Sequence, residues 1–194
     1  MAPRPLPLGF YGRGGLVVAP ELLNKLLVRG PRVGRIVEVE AYCGADDPGS
    51  HAFRGETRRN TTMFGPPGRL YVYFTYGMHF CANVVCGETG EATAVLLRGL
   101  DVVGGVPEMR AGYPGARRDR DLCRGPARLC RAFGIDRSFD GADLVSGDTD
   151  LLVLDDGTPP PAMPAMSPRI GLSAGADLPW RFCVPGAAGL SRPA

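Results

Sequence analysis

Hydrophobic and polar residues alternate most clearly over 35–42, Arg-Ile-Val-Glu-Val-Glu-Ala-Tyr, where β-branched content and a period of two predict a strand. Its faces are Arg35, Val37, Val39, Ala41 and Ile36, Glu38, Glu40, Tyr42, so two carboxylates and a tyrosine share one side. Residues 70–86 read as two strands around a turn at Tyr76-Gly77, with Tyr71, Tyr73 and Thr75 on one face and Leu70, Val72 and Phe74 on the other. Further strands are predicted over 92–98, 151–154 and 180–184. Pro20-Glu21 reads as the first turn of a helix running to about Val28, which would hold Lys25. Gly125-Pro126 opens a second, with Ala127, Leu129, Cys130 and Phe133 at helical spacing. Polar, glycine-rich residues 46–62 are expected to be loop, and 113–121, with little to bury, to be mobile. No repeat or linker divides the chain. Strands adjacent in sequence and joined by short turns favour an α+β fold, one compact domain with a curved, mostly antiparallel sheet, a protruding β-hairpin and a few helices. Residues 1–7 and 186–194 are expected to be loose tails.

Composition refines this only in places. With 194 residues, 44% of them hydrophobic, the chain can bury a core, while 28 glycines and 19 prolines imply many turns. Net charge is only +2, yet residues 1–35 hold six basic side chains against Glu21 alone, and 138–168 hold six aspartates and no Lys or Arg. Such polarity suits either a basic face for a phosphate backbone or unrelated solvated loops. Lys25 is the only lysine, which argues against imine chemistry on a side-chain amine. The six cysteines form no Cys-x-x-Cys pair and there are two histidines, so no metal site is signalled and no cofactor is expected. Neither a signal peptide nor a membrane span is apparent, so a cytoplasmic protein with reduced thiols, nucleoid-associated if bacterial, is expected.

Glu38 and Glu40, two apart on a strand, would project their carboxylates on one side about 7 Å apart. Paired carboxylates are what glycoside hydrolysis needs, but spacing alone favours plain solvent-facing strand residues. Four of the six tyrosines fall between Tyr42 and Tyr76. They could sandwich a planar base or be ordinary strand composition. Tyr76, at a hairpin tip, could wedge between base pairs. Arg54, Arg58, Arg59, Arg124 and Arg128 are candidates for phosphate contacts or plain surface arginines.

In chain order, the strings Gly34-Arg-Ile-Val-Glu-Val-Glu-Ala-Tyr42, His51 with the Arg-rich loop to Asn60, Met63-Phe64, Gly68-Arg-Leu-Tyr-Val-Tyr73 and Tyr76-Gly-Met-His-Phe-Cys-Ala-Asn83 closely resemble the alkyladenine (3-methyladenine) DNA glycosylase family. The likeness continues through Val95-Leu-Leu-Arg98, Leu122-Cys-Arg-Gly-Pro-Ala-Arg-Leu-Cys130, Ser138-Phe-Asp140 and Pro168-Arg-Ile-Gly171. The resemblance implies a single DNA glycosylase domain acting as a monomer on damaged duplex DNA. It implies Glu40 as the base that activates water and Arg98 as its positioning partner. Tyr42, His51 and Tyr73 would stack on a flipped purine, and Asn83 would disfavour guanine. Tyr76 would intercalate, and Arg54, Arg59, Met78, Arg124 and Arg128 would follow the DNA backbone. Glu38 receives no catalytic role under it. Two rival readings stand beside it, a carbohydrate O-glycosidase using both glutamates and a non-catalytic binder of distorted DNA.

Overall fold

In the computed structural model, which describes residues 2–193, nine strands and four α-helices are found among the described residues. They run β1 (Arg4–Pro5), α1 (Leu8–Tyr11), α2 (Gly15–Leu22), β2 (Leu26–Arg29), β3 (Arg32–Cys43), β4 (Leu70–Thr75), β5 (His79–Cys86), β6 (Thr93–Gly104), α3 (Val106–Gly112), α4 (Pro126–Phe133), β7 (Leu151–Asp155), β8 (Ala165–Ser167) and β9 (Arg181–Cys183). The strands form a curled antiparallel sheet in the order β1-β7-β2-β3-β6-β5-β4. Beyond β2, the same edge of β3 is taken by β9, which pairs with Glu38–Glu40 and with β8. The expected α+β class holds.

Alternation along the strands separates two packed faces. Val18, Ala19 and Leu22 of α2 and Leu129 and Phe133 of α4 pack on Val39, Val72, Val84 and Leu97 in the main core. Each such side chain taken fully out of water stabilises the fold by roughly 1.5–3 kcal/mol. The opposite face carries a smaller cluster of Ala52, Met63, Tyr71, Val85 and Ala94, against which Tyr73 packs. None of the described helices is long and apolar enough to cross a membrane.

Four expectations are corrected. The helix expected over 20–28 lies earlier: α2 ends at Leu22, with Pro20 in its last turn, and the chain reverses at Asn24, whose φ is +68°. Leu26–Arg29 then pairs with both β3 and β7, because two ladders satisfy more backbone than an isolated turn of helix would. Lys25 therefore lies in a connection, buried, its Nζ 2.8 Å from Asp155. Among the described residues neither tail is loose: β1 pairs with β7, Leu6 is buried, and Leu190 packs with Val37 and Cys183. Residues 113–121 hold a short 3-10 turn, and Arg110 ties them back through Ala116 O and Asp119. Finally, strict alternation in β3 breaks at Val37. Between Ile36 and Glu38 strand β3 carries an extra residue, and between Glu38 and Val39 the extra residue, Arg98, is on β6. These bulges send Ile36 into the main core with Val39 and Ala41, leaving Glu38 and Glu40 to face elsewhere.

Candidate active site

Four neighbouring strands build one row. Glu40 of β3 is opposite Leu96 of β6, Leu96 opposite Asn83 of β5, and Asn83 opposite Tyr71 of β4. Paired residues project to the same face, so this ladder sets a carboxylate, a carboxamide and an aromatic side by side. Arg98, two residues from Leu96 and without a ladder partner on β3, turns its guanidinium onto both glutamates.

Glu40 is completely buried. Its Oε1 accepts from the Ile170 N–H at 2.7 Å, and its Oε2 accepts from Arg98 Nη1 at 3.2 Å and from the Tyr42 hydroxyl at 3.0 Å. Burial lifts this carboxyl above its usual range, and it does so against the opposing pull of Arg98, Ile170 and Tyr42. Glu38 is equally buried but differently served. Its Oε1 accepts from Arg98 Nε, Arg181 Nε and the Ser191 hydroxyl, and its Oε2 from the Ser191 N–H. Burial pushes Glu38 up as well, but the Ser191 and Arg181 bonds outweigh it and hold the group below the usual range. Neighbouring carboxylates thus have opposite characters. Glu38 accepts four hydrogen bonds and is saturated, whereas Glu40 accepts three and keeps lone-pair capacity.

A cleft opens over this pair. Its inner part is lined by Tyr42, Gly49, His51, Met63, Tyr71, Tyr73, Asn83 and Leu172. Its outer part shares Tyr42, His51, Tyr73 and Leu172 and adds Tyr76, Cys81, Leu96, Arg98 and Pro126. The His51 ring meets Tyr73 edge-on at 4.5 Å, and Tyr71 stacks on Tyr73 at 5.5 Å. Desolvation, then the charge of Arg59, lowers the His51 pKa and so favours the uncharged imidazole. A planar cation in the inner cleft would meet the aromatic faces of Tyr42, Tyr71 and Tyr73. Glu40 lies one layer behind Tyr42 and Arg98 and does not itself line the cleft.

Thus Glu40, Tyr42, His51, Tyr73, Asn83 and Arg98 are brought together. Asn83 is buried and donates to Tyr71 O at 3.2 Å. Tyr76 stands at the hairpin tip beside the outer cleft, 82% exposed with φ +50°, and Met78 next to it is exposed. Arg59 lies over the Tyr73 ring at 5.6 Å, and Arg54 is exposed. Arg124 and Arg128 border a different hollow, with Tyr113, Arg117, Arg118 and Asp121.

Several site residues had no visible signal. Arg169, separated by 122 positions from Asp47, donates to it at 2.6 Å with both side chains fully buried, and it covers the Tyr42 ring from behind at 4.6 Å. This ion pair clips the 168–172 backbone against the cleft, presenting the Ile170 N–H to Glu40. The approach is close enough that a Cβ on Gly49 would come within 2.7 Å of Leu172 and 2.8 Å of Arg169. The strings holding Arg169 and Ile170 carried the resemblance, but a backbone donor leaves no mark in a sequence.

Fold and site together define an α+β protein with an aromatic cleft in front of a buried acid–guanidinium pair. The sequence profile of the Methylpurine-DNA glycosylase (MPG) family matches residues 9–188, and the chain belongs to that family. Membership makes it a DNA glycosylase, a hydrolase whose partner is DNA. Similar proteins, each provisionally named 3-methyladenine DNA glycosylase, occur in Burkholderia lata (57% identity, covering 93% of this chain and 88% of the relative) and Streptomyces avermitilis (50%, 93% and 87%). Another, in Carboxydothermus hydrogenoformans, is 47% identical over 91% of this chain and 93% of its own.

Proposed function

We propose that this chain is a monofunctional purine DNA glycosylase of base excision repair. Acting as a monomer on duplex DNA, it flips an alkylated or deaminated purine, of the 3-methyladenine, hypoxanthine and ethenoadenine class, into the aromatic cleft. The observation that carries the reading is the buried Glu40 carboxylate, bonded to Arg98 and Tyr42 directly behind that cleft. Water attacks C1′ of the deoxyribose as the bond from C1′ to the base breaks. The electron pair leaves with the base, and the proton of the attacking water passes to Glu40. Because Glu40 is closed off behind Tyr42 and Arg98, the loaded site must shift Arg98 or the 170–172 backbone to admit that water. A 3-methylated purine is cationic and departs neutral. A neutral lesion must gain a proton, and no carboxylate lines the cleft among the described residues.

Lys25 supports a reaction without strand cleavage, since the one side-chain amine is paired with Asp155 and borders a hollow that shares no residue with the cleft. The carbohydrate O-glycosidase reading is disfavoured by Glu38, whose oxygens are occupied by four donors. The non-catalytic reading is disfavoured by the intact pairing of Glu40 with Arg98.

The test is incubation with duplex DNA holding one 3-methyladenine or one hypoxanthine, scoring free base, abasic sites and strand breaks. Base release without breaks is expected, faster for 3-methyladenine. Tight lesion binding with no base released would sink the proposal. In the same assay, Tyr76→Ala should lower lesion-duplex affinity about tenfold, the worth of one stacking contact. Thermal unfolding should not move, because the Tyr76 side chain is 82% exposed.

A further inference from the structure

The buried charges behind the cleft are closed by a segment that follows β9. Residues 187–192 return across β3 and β6 and fasten at successive points. The Gly189 N–H donates to Asp101 at 2.6 Å, the Leu190 carbonyl accepts from Arg124 at 2.9 Å, and the Arg192 carbonyl accepts from Arg181 at 2.7 Å. Leu190 buries its side chain against Val37 and Cys183. Backbone meets backbone here: a Cβ on Gly99 would lie 2.5 Å from Gly189 O, and one on Gly189 would lie 2.2 Å from Leu100 O. Between these fixed points stands Ser191, which lies outside the 9–188 match to the family. Its N–H and hydroxyl both donate to Glu38, and its Oγ also accepts from Arg98 Nη2 at 3.4 Å.

This geometry bears on how Arg98 is shared. The cluster holds two carboxylates, Glu38 and Glu40, and two guanidiniums, Arg98 and Arg181. Arg98 spans both acids, giving Nε to Glu38 and only Nη1 to Glu40. A guanidinium folded onto Glu40 in a two-pronged clasp would deepen its ionised state and occupy the lone pairs that a water needs. One drawn wholly to Glu38 would leave Glu40 without its counter-charge. The donors of Ser191 help to settle this division, because they supply Glu38 with hydrogen bonds it would otherwise take from Arg98.

We propose that Ser191, on the strap 187–192, is a positioning residue for the reaction, dividing Arg98 between the two buried glutamates so that Glu40 keeps both its counter-charge and its room for water. The inference rests on the reading of Glu40 as general base. Besides Arg98 and Glu38, Glu40 faces Tyr42 on its own strand, Arg181 and Cys183 on β9, Arg169 from the 168–172 backbone and Cys81 on β5.

The test measures single-turnover base release from 3-methyladenine duplex across pH, with saturating enzyme, for wild type, Ser191→Ala, Ser191→Thr and Glu40→Gln. In Ser191→Ala, Glu38 lacks a donor and draws Arg98 away. Base release should slow about tenfold, the worth of one hydrogen bond to a charged group. The acidic limb of the profile should move to higher pH because Glu40 is less well paired, while duplex affinity is unchanged. Ser191→Thr, which keeps both donors, should restore rate and profile. An unchanged rate and profile in Ser191→Ala overturns the proposal, as does a slower rate whose pH limb stays in place or that threonine fails to rescue. If Glu40→Gln itself releases base at the wild-type rate, the parent reading fails instead, so the two failures are distinct.

Discussion

Glu40→Gln should slow release of a cationic purine by about 10²- to 10⁴-fold, the usual worth of a positioned general base, while lesion-duplex affinity persists. A glutamine keeps a carbonyl oxygen for the Ile170 N–H and fills the same volume, so the aromatic cleft is retained. What disappears is the anion that, in the proposed mechanism, accepts the proton of the attacking water. The pH profile supplies a second check. Burial raises the Glu40 carboxyl, and the base works only when ionised, so wild-type activity should fall as pH drops through that raised value. The glutamine variant should lack this limb. Glu38→Gln is the informative partner. With four donors converging on it, Glu38 should cost stability when neutralised, roughly 3–5 kcal/mol if the buried pairs are broken, with a smaller effect on chemistry in the folded fraction. Inactivation by Glu38→Gln alongside an active Glu40→Gln would reverse the assignment.

The second large effect concerns stability. Asp47→Ala should destabilise the protein by about 3–5 kcal/mol, because it strands the Arg169 guanidinium in a site where both side chains are fully buried. In a domain of this size each kcal/mol shifts Tm by about 2–4 °C, so a fall of roughly 6–20 °C is expected. Urea unfolding should show the same loss with little change in slope. Removing both partners, as Asp47→Leu with Arg169→Met, should recover much of it, since no unpaired charge is left. A single-variant loss below about 1 kcal/mol would mean that Arg169 escapes to water, contrary to its enclosure between the Tyr42 and Trp180 rings.

The central strands were legible because their signal is local. Alternation in 35–42 and 70–86 located β3, β4 and β5, and with them the common side of Glu40 and Tyr42 on one strand and of Tyr71 and Tyr73 on another. Leu-Leu-Asn-Lys-Leu-Leu-Val fits a helix as well as a turn and strand. Pairing with β3 and with β7, more than a hundred residues away, decided it, and no local pattern reports that. A bulge is likewise silent in alternation, which is why Ile36 was placed with Glu38 and not in the main core. Within the site, side chains with distinctive chemistry were visible. The Ile170 N–H, the Asp47–Arg169 clip and Ser191 were not, because their roles arise from tertiary approach alone.

The row from Glu40 through Leu96 and Asn83 to Tyr71 consists of single rungs on four adjacent strands. Slipping any of those pairings by one residue turns its side chain to the opposite face. A misregistered sheet therefore takes apart the row on which the proposed chemistry depends. During refolding, turnover should accordingly return only once the last of these pairings has locked, after the chain has already compacted.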